Sequence, residues 1–140
     1  VLVSARLALE PDLPLLADPD SRVLIVTASD REIDGARAQV EYLRVPAGES
    51  PGVIPLTPAM RELRERGIEI VLCEGGPVLN ATLLQELLVD ELFLAVASKL
   101  AGGAGQGVVA GGELDPPPEM RLLSVIEAGG DLFLRYVIPA

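Results

Sequence analysis

Residues 73–84 read CEGGPVLNATLL, a carboxylate, two glycines and a proline set between the apolar run Ile70, Val71, Leu72 and a leucine-rich stretch. Such a run ending in Gly-Gly-Pro is the pattern of a strand that turns into a helix, because glycine frees the turn and proline suits the first helical position. A helix opened this way exposes unpaired N–H groups and the positive end of its dipole, so it can receive an anion without any lysine. Gly75 and Gly76 leave the backbone open to a ligand, and Asn80 and Thr82 offer polar groups from the same turn. Glu74, at the C-terminal end of the expected strand, faces the crevice where open α/β sheets bind ligands. An ordinary turn has the same composition, with Glu74 solvated or capping the helix. From these residues alone both readings stand, and the stretch is neither the dinucleotide fingerprint nor a P-loop.

Working outward, the helix after the turn places Leu79, Leu83, Leu84, Leu87 and Leu88 on one stripe and leads to an expected strand, DELFLAVAS at 90–98. The glycine-rich loop 101–112 suits either a backbone passing close to a ligand or plain flexibility. Two strand-like runs around Gly129, Gly130 and Asp131 then give a hairpin signal. Upstream of the turn, TPAMRELRERG at 57–67 predicts a helix with Thr57 as N-cap, Pro58 in the first turn, Gly67 as stop, and Met60 and Leu63 on its apolar face. The segment 68–73 is expected to be a strand, as are Val1–Val3, VLIVT at 23–27 and EYLRV at 41–45. Pro11, Pro14 and Pro19 forbid a long helix between the first two. Ser29 with Glu32 forms a capping box that predicts a helix reaching Val40, with Ile33 and Ala36 on its inner face and Gly35 weakening it. A loop with Pro46, Gly48, Pro51 and Gly52 follows the third strand. The expected fold is α/β, a mixed sheet flanked by helices with parallel early strands and an antiparallel C-terminal hairpin. No repeat or linker divides residues 1–140, so one domain is expected.

The totals bound what such a domain does. A formal charge of −10 with one lysine, Lys99, in 140 residues repels nucleic acid and anionic membrane. No apolar run approaches the roughly 20 residues that span a bilayer, and VLVSARLALE lacks the features of a signal peptide, so a cytoplasmic protein is expected. The single Cys73 is read as a small core hydrophobe and cannot form an internal disulfide. No metal site is expected. The sequence opens without Met, directly in a strand-like run, and reads as the middle of a domain whose earlier part lies upstream.

The run from Cys73 to Gly103 carries a more specific pattern. Glu74 to Pro77, Leu79, Leu88 to Leu92, and Leu100 with Gly102 and Gly103 match the E-G-G-P-T-L, L-V-D-E-L and A-P-x-L-L-G-G segments of one family. In these segments the chain resembles the reductase domain of the bifunctional deaminase/reductase of riboflavin biosynthesis, a family with the dihydrofolate-reductase-like fold; GDLFLRYVI looks like its last strand.

The resemblance implies an NADPH-dependent reductase that converts the ribosyl group of 5-amino-6-(5-phosphoribosylamino)uracil to ribityl. It implies that Gly75, Gly76, Pro77, Val78, Leu79, Asn80, Ala81 and Thr82 hold the cofactor, that Ser4 touches it, that Thr27 lies near its adenosine end, and that Glu74 faces the substrate. A homodimer through the C-terminal strands is implied as well. The chain departs from the pattern at Val78, where the family has Thr, at Ser98, where it has Pro, and at Ala5, where some members have Arg. An NADPH 2′-phosphate usually wants an arginine; Arg6, Arg22 and Arg31 are the candidates. In the family, on the order of a hundred upstream residues supply much of the substrate and nicotinamide contact. Two other readings remain: a reductase of the same fold acting on dihydrofolate or another pteridine or pyrimidine, and a non-catalytic nucleotide-binding or interaction domain.

Overall fold

The computed structural model describes residues 1–48, 52–103, 105 and 107–139. The chain forms two compact units, Val1–Val71 and Leu72–Ala140.

The first unit is built on a parallel sheet in the order β1 (Leu2–Val3), β2 (Arg22–Thr27), β3 (Gln39–Arg44). Its register runs from Leu2 opposite Ile25 and from Arg22 opposite Gln39 to Thr27 opposite Arg44. Val23, Ile25, Val26 and Thr27 of β2 are buried, which explains why a central strand reads as a nearly unbroken apolar run. Leu16 of the one-turn helix α1 (Pro14–Ala17) packs with Leu7, Val23 and Ile25 into a core flanked by Ile33, Ala36, Val40 and Tyr42. Helix α2 (Thr57–Glu65) buries Ala59 and Leu63, while Met60 is half-buried. Thr57 is its first residue rather than its cap, and Gly67 (φ +82°) stops it.

The second unit holds helix α3 (Pro77–Gln85) and an antiparallel sheet in the order β4 (Glu91–Val96), β6 (Asp131–Val137), β5 (Arg121–Ala128). Gly129 and Gly130 both have positive φ, as the tight hairpin turn between β5 and β6 demands. Glu91 and Arg135 form a two-pronged ion pair across β4 and β6 at 2.6 and 3.1 Å. That contact holds the Glu91 carboxyl below the ordinary glutamate range.

The expected α/β class, with parallel early strands and an antiparallel hairpin, holds. The two kinds of strand lie in separate sheets rather than one mixed sheet. Three local expectations fail. The helix from Ser29 does not form, because its polar groups satisfy one another locally. Thr27 Oγ1 accepts from the Ser29 amide (3.1 Å), Ser29 Oγ from the Arg31 amide (3.2 Å) and Tyr42 OH from the Ile33 amide (2.8 Å), and Gly35 sits at φ +81°. Val40 consequently belongs to β3.

Residues 68–73 form no strand, because no strand among the described residues pairs with them, and Ile70 and Leu72 are 90% and 80% exposed. Cys73 is exposed rather than in a core for the same reason. The leucine stripe ends early: α3 stops at Gln85, and Leu87, at φ +55°, points into solvent. Pro51, Ala104 and Gln106 of the two expected loops lie outside the described residues.

Candidate functional site

In the first unit the polar residues gather where the parallel strands end. Ser4 follows β1, donates its amide to Val26 O (3.0 Å) and accepts the Leu7 amide (3.1 Å) through its own carbonyl. Thr27 ends β2 and is wholly buried. Its hydroxyl donates to Ala5 O (3.3 Å) and accepts from the Ser29 amide. The Thr27 side chain is therefore committed within the fold: it locks the turn after β1 to the turn after β2.

Arg44 at the end of β3 extends the brace. Its guanidinium donates to Ser29 O and Arg31 O, pairs with Glu32 at 3.8 Å and stacks 5.1 Å over Tyr42. Beside these turns lies an open cavity of about 340 Å³, walled by Ala5 and Arg6, by Ala28, Ser29 and Arg31, and by residues 47–48 and 52–54. It sits where ligands of parallel α/β sheets sit, outside the carboxyl ends of the strands. Gly48 in its wall is required sterically, because a Cβ there would lie 2.7 Å from Val53 O.

In the second unit the two glycines of the opening motif have different reasons to be glycine. Gly75 has φ +80°, and a Cβ on it would meet the Asn80 amide group at 3.2–3.3 Å. Gly76 has φ −77° and ψ 176°, open to any residue, and a Cβ there would meet nothing within 4 Å. The fold demands glycine at 75 and not at 76. The peptide between them is cis.

The helix then starts at Pro77, and the first intrahelical bond runs from the Asn80 amide to Gly76 O (2.9 Å). Among the described residues the amides of Gly76, Val78 and Leu79 have no partner, as the geometry of a helix start requires. The polar side chains of this turn are otherwise engaged. Asn80 Nδ2 donates to Val108 O (2.8 Å), Pro77 O accepts the Ala110 amide (3.1 Å), and the buried Thr82 hydroxyl donates back to Val78 O (3.1 Å). Asn80 and Pro77 thus fasten the glycine-rich loop against the helix start. Ala81 is buried, and Glu74 is exposed. Of the expected cofactor residues, Gly75 to Thr82 lie together in one turn and a half, and Ser4 and Thr27 lie together in the first unit. Asn80 and Thr82 serve the scaffold with their side chains, so what the turn presents outward is backbone and the apolar Val78 side chain.

Arg6 and Arg31 both line the first unit's cavity, whereas Arg22 opens β2 at the other end of the sheet. Sequence reasoning could name the three arginines but not rank them, because the ranking depends on strand direction. Among the described residues no group of three His, Cys, Asp or Glu could hold a metal ion, and no helix is long and apolar enough to cross a membrane.

A parallel sheet with polar groups at its strand ends in one unit, and a glycine-opened helix with an antiparallel sheet in the other, define an α/β protein. Residues 1–134 match the RibD C-terminal domain family, and the chain belongs to that family. It is 34% identical over 101 residues to the riboflavin biosynthesis protein RibD of Escherichia coli K12, covering 70% of this chain and 27% of that protein. It is 32% identical over 89 residues to the RibD of Actinobacillus pleuropneumoniae, covering 61% and 24%. Among solved structures, Acinetobacter baumannii RibD superposes with a TM-score of 0.76 at 24% identity, over 98% of this chain and 36% of that one. The Saccharomyces cerevisiae riboflavin biosynthesis reductase Rib7 gives 0.63 at 24% identity, over 85% and 56%. These likenesses show the fold. The chain spans about a quarter of the length of the curated relatives it matches.

Proposed function

We propose that this chain is the cofactor-binding part of an NADPH-dependent reductase of riboflavin biosynthesis, acting on 5-amino-6-(5-phosphoribosylamino)uracil. The observation that carries the reading is Gly76. Nothing in the fold requires glycine there, yet the position stands open beside three unpaired amides at a helix start. That is what a phosphate approaching the backbone needs.

The residues fit the cofactor in further respects. The Gly76, Val78 and Leu79 amides would bind diphosphate oxygens, with Gly75 and Asn80 holding the turn in shape and Pro77, Ala81 and Thr82 building the helix behind it. Val78 takes part through its backbone, so the side chain standing where the family has Thr costs one hydroxyl and not the cradle. Ser4, and Thr27 through the turn it locks, would serve the adenosine end; Glu74 would face the substrate. The bound nicotinamide supplies a hydride, and the protein's part is to position the reactants and exclude water.

In this reading residues 1–140 serve one reductase domain, the protein is cytoplasmic, and it is a homodimer through the C-terminal strands. The exposed apolar side chains Leu122, Leu123, Val125 and Ile126 on the edge strand β5 support the last point. The test is a fluorescence titration of the complete protein with NADPH and NADH, followed by addition of the ribosylaminouracil phosphate or dihydrofolate. Nicotinamide binding and oxidation of NADPH on adding the first substrate are expected. Absence of nicotinamide binding overturns the reading, and turnover of dihydrofolate alone changes the substrate.

A further inference from the structure

The segment GELDPPPEM at 112–120 joins the glycine-rich loop to β5 and holds three consecutive prolines. The fold makes little use of them. Pro116 and Pro117 are exposed, Pro118 is half-buried, and among the described residues no hydrogen bond engages residues 113–119. A connection of this kind needs a turn residue or two, not a run of rings. The run does act on one process that every copy of the chain passes through, its own synthesis.

To join the third proline, the ring nitrogen of the incoming Pro118 attacks the ester carbonyl that links Pro117 to its tRNA. The tertiary amide forms, the ester C–O bond breaks, and the tRNA 3′-hydroxyl departs with the proton that the nitrogen gives up. Each ring fixes φ at about −65°, so neither the growing end Pro116-Pro117 nor the incoming residue can swing into line. Reacting atoms held off their near-attack geometry react slowly, and the ribosome halts with Pro117 as the last residue joined.

The exit tunnel, about 100 Å long, hides roughly 30 residues of extended chain, so at the halt the chain up to about residue 87 is outside. That includes the whole of Val1–Val71. Strands β1, β2 and β3 pair only with one another, and the core of Leu7, Leu16, Val23 and Ile25 is drawn from the same unit. Everything that this unit's sheet and core require is therefore present. The antiparallel sheet is in the opposite position. β4 is still in the tunnel, and β5 and β6, which start at Arg121 and Asp131, do not yet exist.

The two sheets form at different rates. Parallel strands meet only across long connections and are slow and exposed to aggregation while unpaired. The hairpin of β5 and β6, closed by Gly129 and Gly130, belongs to a class that forms in about 1–10 μs. β5 also leaves Leu122, Val125 and Ile126 exposed when folded, and strands of that kind pair with any open edge. We propose that Pro116-Pro117-Pro118 is a translational pause, which gives the parallel-sheet unit time to fold before the apolar strands β5 and β6 are made.

The test follows synthesis of the complete protein in a translation system of purified components. Toeprinting is expected to map a halted ribosome with the Pro117 codon in the peptidyl site. The halt is expected to weaken several-fold with the elongation factor that accelerates proline-proline bonds, and to vanish in Pro117→Ala. Pro117 is exposed, so the variant acts on stability only through the unfolded chain, and its Tm is expected within a few degrees of wild type. Its soluble fraction after synthesis is expected to fall several-fold, while purified wild type and variant refold from denaturant in equal yield. Slow synonymous codons at 116–118 of the Pro117→Ala gene return the halt without changing the variant polypeptide, and are expected to restore its solubility.

The inference is overturned if no ribosome halts at Pro117, if the soluble fractions are equal with and without the halt, or if slow codons fail to restore the variant. A larger Tm loss, or poorer refolding of the variant, gives the prolines a structural role and overturns it equally. Each result is independent of nicotinamide binding, so the reductase reading stands or falls by its own titration.

Discussion

The two adjacent glycines of the helix start can be separated by a single methyl group. At Gly75 an alanine would have to hold φ +80°, which costs about 1–2 kcal/mol. Its Cβ would stand 3.2 Å from Asn80 Nδ2, the atom that donates to Val108 O. Displacing that amide loses a hydrogen bond of about 0.5–1.5 kcal/mol. Gly75→Ala is therefore expected to destabilise the protein by roughly 2–3 kcal/mol, lowering Tm by roughly 6–12 °C for a chain of this size. Gly76→Ala faces neither penalty. Its φ and ψ suit alanine, the methyl meets nothing, and Tm stays level or rises slightly through loss of unfolded-state freedom.

Binding reverses the order. In the proposed reading a methyl at position 76 crowds a phosphate held on the free amides, and losing one charge-assisted hydrogen bond costs about 1.5–3 kcal/mol, or roughly 10- to 150-fold in NADPH affinity. Gly76→Asp adds a negative charge facing a phosphate and is expected to abolish binding. Thermal unfolding by circular dichroism and NADPH fluorescence titration read the two effects separately. Equal Tm losses at 75 and 76 would mean that the fold needs both glycines, and undiminished affinity in Gly76→Ala would mean that no phosphate sits there.

Other expectations follow from individual contacts. Asn80→Leu releases the glycine-rich loop, so amide exchange at Val108 to Ala110 should accelerate while β4 to β6 stay protected; unchanged exchange would show that Asn80 is not the fastener. Tyr42→Phe leaves the Ile33 amide without its acceptor and is expected to cost about 1 kcal/mol in denaturant unfolding; no loss would mean that water replaces it freely. For Glu91 the folded pKa is depressed by Arg135. Its contribution to stability is present above the ordinary glutamate value and fades as pH falls through the depressed one. The stability gap between wild type and Glu91→Gln should thus be visible near neutral pH and close in acid; a gap that persists in strong acid would refute the assignment.

The parts of the fold that were legible in the sequence are those set by local chemistry. Gly129-Gly130 between two alternating runs needs only its own backbone to make a turn, and Pro58 and Gly67 bracket α2 at both ends. Residues 29–40 show the limit of that approach. Ser29 and Glu32 spell a helix start, but Thr27, Tyr42 and Arg44, all from strands, claim the same backbone groups. Ile68 to Cys73 show a different limit, since a strand exists only through a neighbour, and propensity names no neighbour. The helix start after Gly76 was readable from Gly-Gly-Pro. That Asn80, Thr82 and Thr27 spend their polar groups on the scaffold was not, because the partners Val108 and Ala5 are distant in sequence or hidden in a turn. The choice among Arg6, Arg22 and Arg31 needed the direction of β2.

The exposed run from Ile68 to Leu72 has a consequence for how the 140-residue polypeptide behaves in solution. Five exposed residues, three of them isoleucine or valine, with no strand alongside among the described residues, are a template on which another chain can add. Opposing this is the charge of −10 carried by every copy. Colloidal stability is then a contest between a short-range sticky segment and a longer-range repulsion, and only the repulsion is screened by salt. At low ionic strength the copies should stay apart. As the screening length shrinks toward about 8 Å at physiological salt, or as pH approaches the isoelectric point near 4.4, light scattering should report growing association. A charged substitution at Ile70 should suppress it without changing the unfolding transition of either unit.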